Sequence, residues 1–89
     1  MANFNFGIDC QSVDDADGLL SYLDSLNLYM DGLDSEDERL SVISSQSLLD
    51  ELKLYATTNS IKIEVEVWGY DQEYDDAEES GELETHSFP

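Results

Sequence analysis

The charge imbalance is the feature that most constrains how this chain can fold. The 89 residues carry 22 Asp and Glu against 3 Lys and Arg, which gives a formal net charge of −19 at pH 7. A domain of this length buries only about 60% of its unfolded surface, so the repulsion acts against a thin core. Apolar residues make up 40% of the chain, and five glycines bring it to the apolar content usual for folded domains. We therefore expect a single folded domain, residues 1–89, rather than a disordered acidic tail.

The same composition limits the partners and the compartment. A net charge this negative repels DNA, RNA and anionic lipid, so the sequence predicts no direct binding to nucleic acid or membrane. The single cysteine, Cys10, excludes an internal disulfide and is expected to be a small buried residue. The N-terminus shows no signal peptide, and no segment approaches the roughly 20 apolar residues of a membrane span. These features predict a soluble cytoplasmic protein, and the uniform repulsion favours a monomer.

Apolar periodicity predicts an α+β fold. Phe4, Phe6 and Ile8 alternate with polar residues, as they do in a half-buried strand, and 61–68 repeats that pattern. Helical spacing marks 13–27, with Ser12 as its cap and Gly18 as its weak point, and a second helix that begins at Ser45 or Ser47 and ends at 58–60. With a short strand at 40–44 and an edge strand at 82–88, the order is β-α-β-α-β-β. We expect a small, largely antiparallel sheet of about four strands with two helices on one face.

Two acidic segments remain between these elements. Residues 31–38 are predicted to be a polar connector with five carboxylates. Between 71 and 84, eight of fourteen residues are acidic, and we expect no aliphatic core residue before Leu83. We therefore predict a solvated acidic loop at about 71–82.

The residues that most enzymes and metal sites need are scarce. His86 is the single histidine and is expected on the solvent-facing surface, with no signature that pairs it with Cys10 as a nucleophile. Zinc sites need more His and Cys ligands than this chain has, and it contains no glycine-rich phosphate loop. The sequence thus predicts no catalytic residues, no cofactor and no metal site.

Weak calcium binding is kept as an alternative because carboxylates are so numerous. The EF-hand pattern fits 13–24 poorly, since Val13 stands where the first carboxylate is required. It fits 71–82 no better, because Asp76 replaces the glycine of the turn. Near-matches of this kind are expected by chance in so acidic a chain.

The acid itself is the remaining candidate for function. Solubility of a small domain is served by a net charge of about 2–8, and −19 goes well beyond that at a cost in stability. Acidic residues fall on one face of the first helix, in both connectors and on the non-core face of the strand at 61–68, where aromatic residues lie close by. The candidate partner-binding residues are Asp14, Asp17, Asp24, Asp34, Glu36, Asp37, Glu38, Glu64, Glu66, Trp68, Tyr70, Asp71, Glu73, Tyr74, Asp75, Asp76, Glu78 and Glu79.

In size, charge and solitary-domain character the whole chain resembles the small acidic proteins of phages and mobile elements that mimic DNA and block host defence. That class includes anti-CRISPR proteins, anti-restriction proteins and the uracil-DNA glycosylase inhibitor, and its members share no sequence motif. The length and the mixed α+β pattern are most similar to anti-CRISPR proteins. The resemblance implies a non-catalytic inhibitor that acts in the host bacterial cytoplasm. It would block the positively charged channel in which a CRISPR effector binds its target DNA.

Two alternatives stay open beside this expectation. The first is an acidic adaptor or antidote that binds another basic protein, as an anti-restriction protein, a glycosylase inhibitor or an antitoxin does. The second is the weak calcium-binding protein already described.

Overall fold

A computed structural model of the chain describes residues 3–26, 29–45 and 47–89. Five strands and three helices follow one another along these residues. In chain order they are β1 (Phe4–Asp9), α1 (Val13–Leu26), β2 (Tyr29–Glu36), β3 (Arg39–Ser44), α2 (Leu48–Asn59), β4 (Ile63–Gly69), α3 (Tyr74–Ser80) and β5 (Glu84–Phe88). The α+β class and the antiparallel sheet predicted from the sequence are confirmed, whereas the number and order of the elements differ.

The strands form one antiparallel sheet in the order β2-β3-β1-β4-β5, with β1 at its centre. Phe6 pairs with Val42 of β3 and with Val67 of β4, and Ile8 pairs with Leu40 and Val65 in the same way. All of these side chains are buried. The alternation read from β1 and β4 is therefore confirmed, because each apolar position lies on the covered side of the sheet.

Helices α1 and α2 cover this inner face. Ala16, Leu19 and Leu23 of α1, together with Leu48, Leu52 and Ala56 of α2, join the strand residues in one buried apolar cluster. Burial of these stripes supplies most of the free energy that holds the helices on the sheet.

The helix ends agree with the sequence in part. Ser12 Oγ accepts the backbone N–H of Asp15 at 3.1 Å, which confirms the predicted cap of α1. Of the two serines predicted to begin α2, Ser47 occupies the N-cap position, but it has helical φ and ψ angles and its side chain makes no capping hydrogen bond. Asn27, predicted as the last residue of the first helix, lies outside the described residues.

The segment 31–38 is not a connector, which corrects the sequence interpretation. Most of it belongs to β2, and a turn at 37–38 leads directly into β3. Asp34 pairs with Ser41 and Glu36 pairs with Arg39, so the segment is held by backbone pairing with β3 along one side. Only Leu33 of the described side chains in β2 packs against the core. The apolar residues of this segment therefore alternate too weakly to predict a strand, and β2 is specified by its pairing with β3.

The acidic loop predicted at 71–82 is also wrong, because residues Tyr74–Ser80 form the helix α3. Ala77 is fully buried and is the residue through which this short helix packs. Asp75 and Asp76 lie in its first turn, where the helix dipole favours negative charge. Gly81 ends the helix in the left-handed conformation, with φ at 79°. The last strand consequently begins at Glu84 rather than at 82.

None of the helices in the described ranges is long and apolar enough to cross a membrane.

Two leucines of α2 provide a matched test of this packing. Leu52 is fully buried, whereas Leu54 is 56% exposed on the same helix. We expect Leu52→Ala to lower the free energy of unfolding by about 2–5 kcal/mol, because it leaves a cavity in the core. Leu54→Ala should change it by no more than about 0.5 kcal/mol. Urea unfolding followed by circular dichroism in high salt measures both, and equal effects would contradict the assigned faces.

Candidate acidic binding surface

The side of the sheet opposite α1 and α2, here called the outer face, gathers carboxylates from three strands into rows. Strand register sets these rows, because residues paired across an antiparallel ladder point to the same face. One row runs Glu36, Arg39, Asp9, Glu64 and Ser87, and the next runs Asp34, Ser41, Gly7, Glu66 and Thr85. Five carboxylates thus surround one cation.

Arg39 is the cation that offsets part of the repulsion among these carboxylates. Its Nη1 lies 2.8 Å from Asp9 Oδ2, and its Nη2 lies 3.1 Å from Glu66 Oε1. Partial burial alone would lower the pKa of Arg39, but the hydrogen bonds and charges of Asp9 and Glu66 outweigh it and raise that pKa. The side chain therefore bridges β3, β1 and β4 as a permanent positive charge.

Gly7 makes room for this bridge. The guanidinium lies directly over Gly7, and a Cβ at that position would come within 2.1 Å of Arg39 Nη2. A side chain on residue 7 would force Arg39 away from its carboxylates. The glycine is thus required by close approach rather than by an unusual backbone angle.

Glu66 also holds α3 against the outer face. Tyr74 donates its hydroxyl hydrogen to Glu66 Oε2 at 2.5 Å, and its ring meets Trp68 edge-on with centroids 5.2 Å apart. The hydrogen bond, helped by desolvation and by the negative charges of Glu66 and Glu78, raises the pKa of Tyr74 to about 12. One carboxylate therefore connects the arginine bridge to the short acidic helix.

The predicted site residues lie on two sides of the molecule rather than on one surface. Asp14, Asp17 and Asp24 are exposed on α1, on the far side of the core from the outer face. Asp37 and Glu38 form the turn at one end of the outer face, beside Glu36 and Glu64. The outer face and the adjoining α3 segment hold the rest: Asp34, Glu36, Glu64, Glu66, Trp68, Tyr70, Asp71, Glu73, Tyr74, Asp75, Asp76, Glu78 and Glu79.

Some of the residues proposed for partner binding already have partners within the fold. Glu66, Trp68 and Tyr74 contact one another or Arg39 and are only partly exposed. Glu64 is exposed, and Tyr70 is 54% exposed. These two are therefore better placed to meet a partner from this part of the surface.

Asp9, Gly7 and Arg39 are not among the predicted site residues. Asp9 continues the alternation of β1, so its outward direction could have been read from Phe6 and Ile8. In the sequence, Arg39 is distinguished only as one of three Lys and Arg residues. Its contact with Glu66 depends on β1 lying between β3 and β4, which local sequence does not reveal.

Neither of the two segments considered for calcium binding forms a loop suited to it. Residues 13–24 lie within α1, and α3 occupies the middle of 71–82, so neither segment can wrap around an ion as an EF-hand loop does. Among the described residues, no three His, Cys, Asp or Glu side chains are grouped closely enough to hold a metal.

The two residues considered for nucleophilic chemistry have structural surroundings. Cys10 is 7% exposed, as predicted, and burial, with the charges of Asp15, Asp9 and Glu38, raises its pKa to about 11. A thiolate is therefore disfavoured. His86 is half-buried rather than solvent-facing, because it stacks on Phe88 and lies 3.3 Å from Glu84.

Comparison of the chain with protein-family models, curated proteins and solved structures found no match. The function is therefore argued from the geometry and the charge.

The arginine bridge predicts a specific coupling between Gly7 and Arg39. Gly7→Ala should lower the free energy of unfolding by about 1 kcal/mol, because it displaces Arg39 from two partly exposed carboxylates. In an Arg39→Ala background the same change should be neutral, or stabilising by up to about 0.5 kcal/mol, since alanine is less flexible than glycine. Denaturant unfolding of the four proteins in this double-mutant cycle measures the coupling. Additive effects would show that Arg39 does not lie over Gly7.

The Tyr74–Glu66 hydrogen bond predicts a stability difference at alkaline pH. The folded-state pKa of about 12 lies above the ordinary value of 10 for tyrosine, so folding favours the neutral phenol. The stabilisation is complete below pH 10 and is lost as the pH rises towards 12. The wild-type chain should therefore be more stable than Tyr74→Phe at pH 8, and that advantage should shrink by pH 11. Tyr70→Phe is the matched control, and a pH-independent advantage over Tyr74→Phe would contradict the bond.

Proposed function

We propose that this chain is a non-catalytic DNA mimic that acts in the bacterial cytoplasm as a single chain. It occupies the positively charged nucleic-acid channel of a host defence complex and keeps DNA out. The resemblance to anti-CRISPR proteins in size, charge and solitary-domain character makes a CRISPR effector the first target to test.

The proposal rests on the linear charge density of the fold, which is its net charge divided by its longest dimension. The longest dimension of the fold is 33 Å, and dividing it by the net charge of 19 gives one net negative charge per about 1.7 Å. Duplex DNA carries one phosphate charge per roughly 1.7 Å of axis. The other two dimensions are 23 and 22 Å, so the chain presents this charge on a body of nearly round cross-section. To a channel lined by Lys and Arg, it offers the charge of a duplex of equal length.

The arrangement of the carboxylates supports the same mechanism. Strand register fixes Glu64, Asp34 and Glu36 on the outer face, and α1 and α3 present further carboxylates at helical spacing. Basic side chains of a channel could therefore pair with carboxylates that need little rearrangement. Tyr70, exposed beside α3, is the aromatic side chain best placed to anchor the contact.

Capture followed by competition tests the proposal. The immobilised chain is exposed to bacterial lysates that contain CRISPR effectors, and the retained proteins are challenged with short duplex DNA at constant salt. We expect an RNA-guided effector to be retained and to be released by the DNA and by moderate salt. A retained partner that DNA cannot displace would instead favour the acidic adaptor or antidote.

A matched pair of charge reversals identifies the contact face. Glu64→Lys on the outer face and Asp17→Lys on α1 make the same change at exposed positions on opposite sides of the molecule. If the outer face enters the channel, Glu64→Lys should slow association with the purified effector by about threefold or more at low salt. Asp17→Lys should then have the smaller effect. The reverse order would move the contact to α1.

A further inference from the structure

The two edges of the sheet differ in their ability to accept another strand. β2 pairs with β3 through two register shifts, between Tyr29 and Asp31 and between Asp31 and Asp34. Such irregularities twist an edge and interrupt its row of backbone donors and acceptors. β5 pairs with β4 at five consecutive positions without a shift, and within the described residues no strand lies on its other side. β5 is therefore the regular edge.

Short side chains separate this edge from the nearest carboxylates of the outer face. Ser87 pairs with Glu64 and Thr85 pairs with Glu66. Ser87, Thr85 and Glu64 are all exposed. A strand added beside β5 would lie two strand spacings, about 9–10 Å, from β4. A long basic side chain on that strand could reach Glu64 across Ser87.

Arg39 already makes a contact of this kind within the sheet. It starts from β3, passes over Gly7 of β1 and reaches Glu66 of β4, so it crosses two strand spacings over a residue without a side chain. Arginine is therefore long enough for the distance, and its fork suits a carboxylate at the far end. An arginine from outside the β5 edge would span the same distance, passing beside the short side chain of Ser87 rather than over a glycine.

We propose that the β5 edge binds an extended, arginine-bearing segment of the basic partner by β-strand addition. Backbone hydrogen bonds to β5 would supply part of the affinity, and arginines at alternate positions would reach across Ser87 and Thr85 towards Glu64. This inference rests on the proposed function, since it states how part of the basic partner would be held. The charge complementarity of the outer face selects a basic segment over a second copy of this acidic chain.

A synthetic peptide of alternating arginine and valine is the probe. We expect it to bind the full chain and to slow hydrogen exchange of backbone amides in β5 by about tenfold, with no comparable effect in β2. The control peptide has the same sequence with N-methyl groups on alternate amides, which keeps its charge but removes donors from a ladder. It should bind at least about tenfold more weakly. Equal binding of the two peptides, or protection of β2 instead of β5, would overturn strand addition.

Two serine variants locate the arginine contact. Ser87→Lys places a cation next to Glu64 at the edge, whereas Ser41→Lys makes the same change on the outer face of β3. Ser87→Lys should weaken peptide binding about tenfold because it repels the incoming arginine and competes for Glu64. Ser41→Lys should weaken it less than about twofold. Equal losses would show that the peptide senses only the overall charge.

The outcomes separate this inference from the proposed function. Capture of a partner that duplex DNA displaces, with no preference for the unmethylated peptide, would retain DNA mimicry and overturn strand addition. Preference for the unmethylated peptide, with a captured partner that DNA cannot displace, would retain strand addition and overturn mimicry.

Discussion

Repulsion among carboxylates across the outer face is the constraint on which the rest of this sheet depends. Strand pairing brings Asp9 next to Glu64 and places Glu66 one step further along the same pair of strands. The five strands contain one basic residue, Arg39, and it contacts both Asp9 and Glu66. Because its guanidinium lies over the central strand, one positive charge connects β3, β1 and β4. Gly7 is the residue that permits this close approach.

The division of the acidic residues between structure and binding follows from that bridge. Glu66 uses one oxygen for Arg39 and the other for Tyr74, so it links the sheet to α3. A carboxylate that already makes two hydrogen bonds contributes to the electrostatic field of the protein but cannot pair freely with an incoming cation. Glu64, two residues away on the same strand, is exposed and has no such partner among the bonds described above. Glu64 and Glu66, two carboxylates of one strand, thus differ in how freely they could pair with an incoming cation.

The parts of the fold that the sequence predicted are those specified by local periodicity. Phe6 and Ile8, Val65 and Val67, and the leucines of α1 and α2 repeat at the strand and helix periods, and the structure buries them as expected. β2 and α3 were not predicted because neither shows an apolar repeat at the strand or helix period: the apolar residues are Tyr29, Met30 and Leu33 in the first, and Tyr74 and Ala77 in the second. Pairing with β3 specifies the first, and packing through Ala77 specifies the second. The contact between Arg39 and Glu66 requires the strand order, and the charge per unit length requires the dimensions of the fold.

The acidity of the chain and the binding of a basic partner are linked thermodynamically. Any cation that binds the folded chain and not the unfolded one stabilises it, and a basic channel would do so at many carboxylates together. Repulsion that weakens the free domain would therefore be relieved when such a partner binds, and part of the favourable free energy of association would come from that relief. Added salt screens the same repulsion in the free protein, so it stabilises the isolated domain while weakening the complex. A net charge of −19 on 89 residues is thus unfavourable for the domain alone and favourable for the complex that we propose.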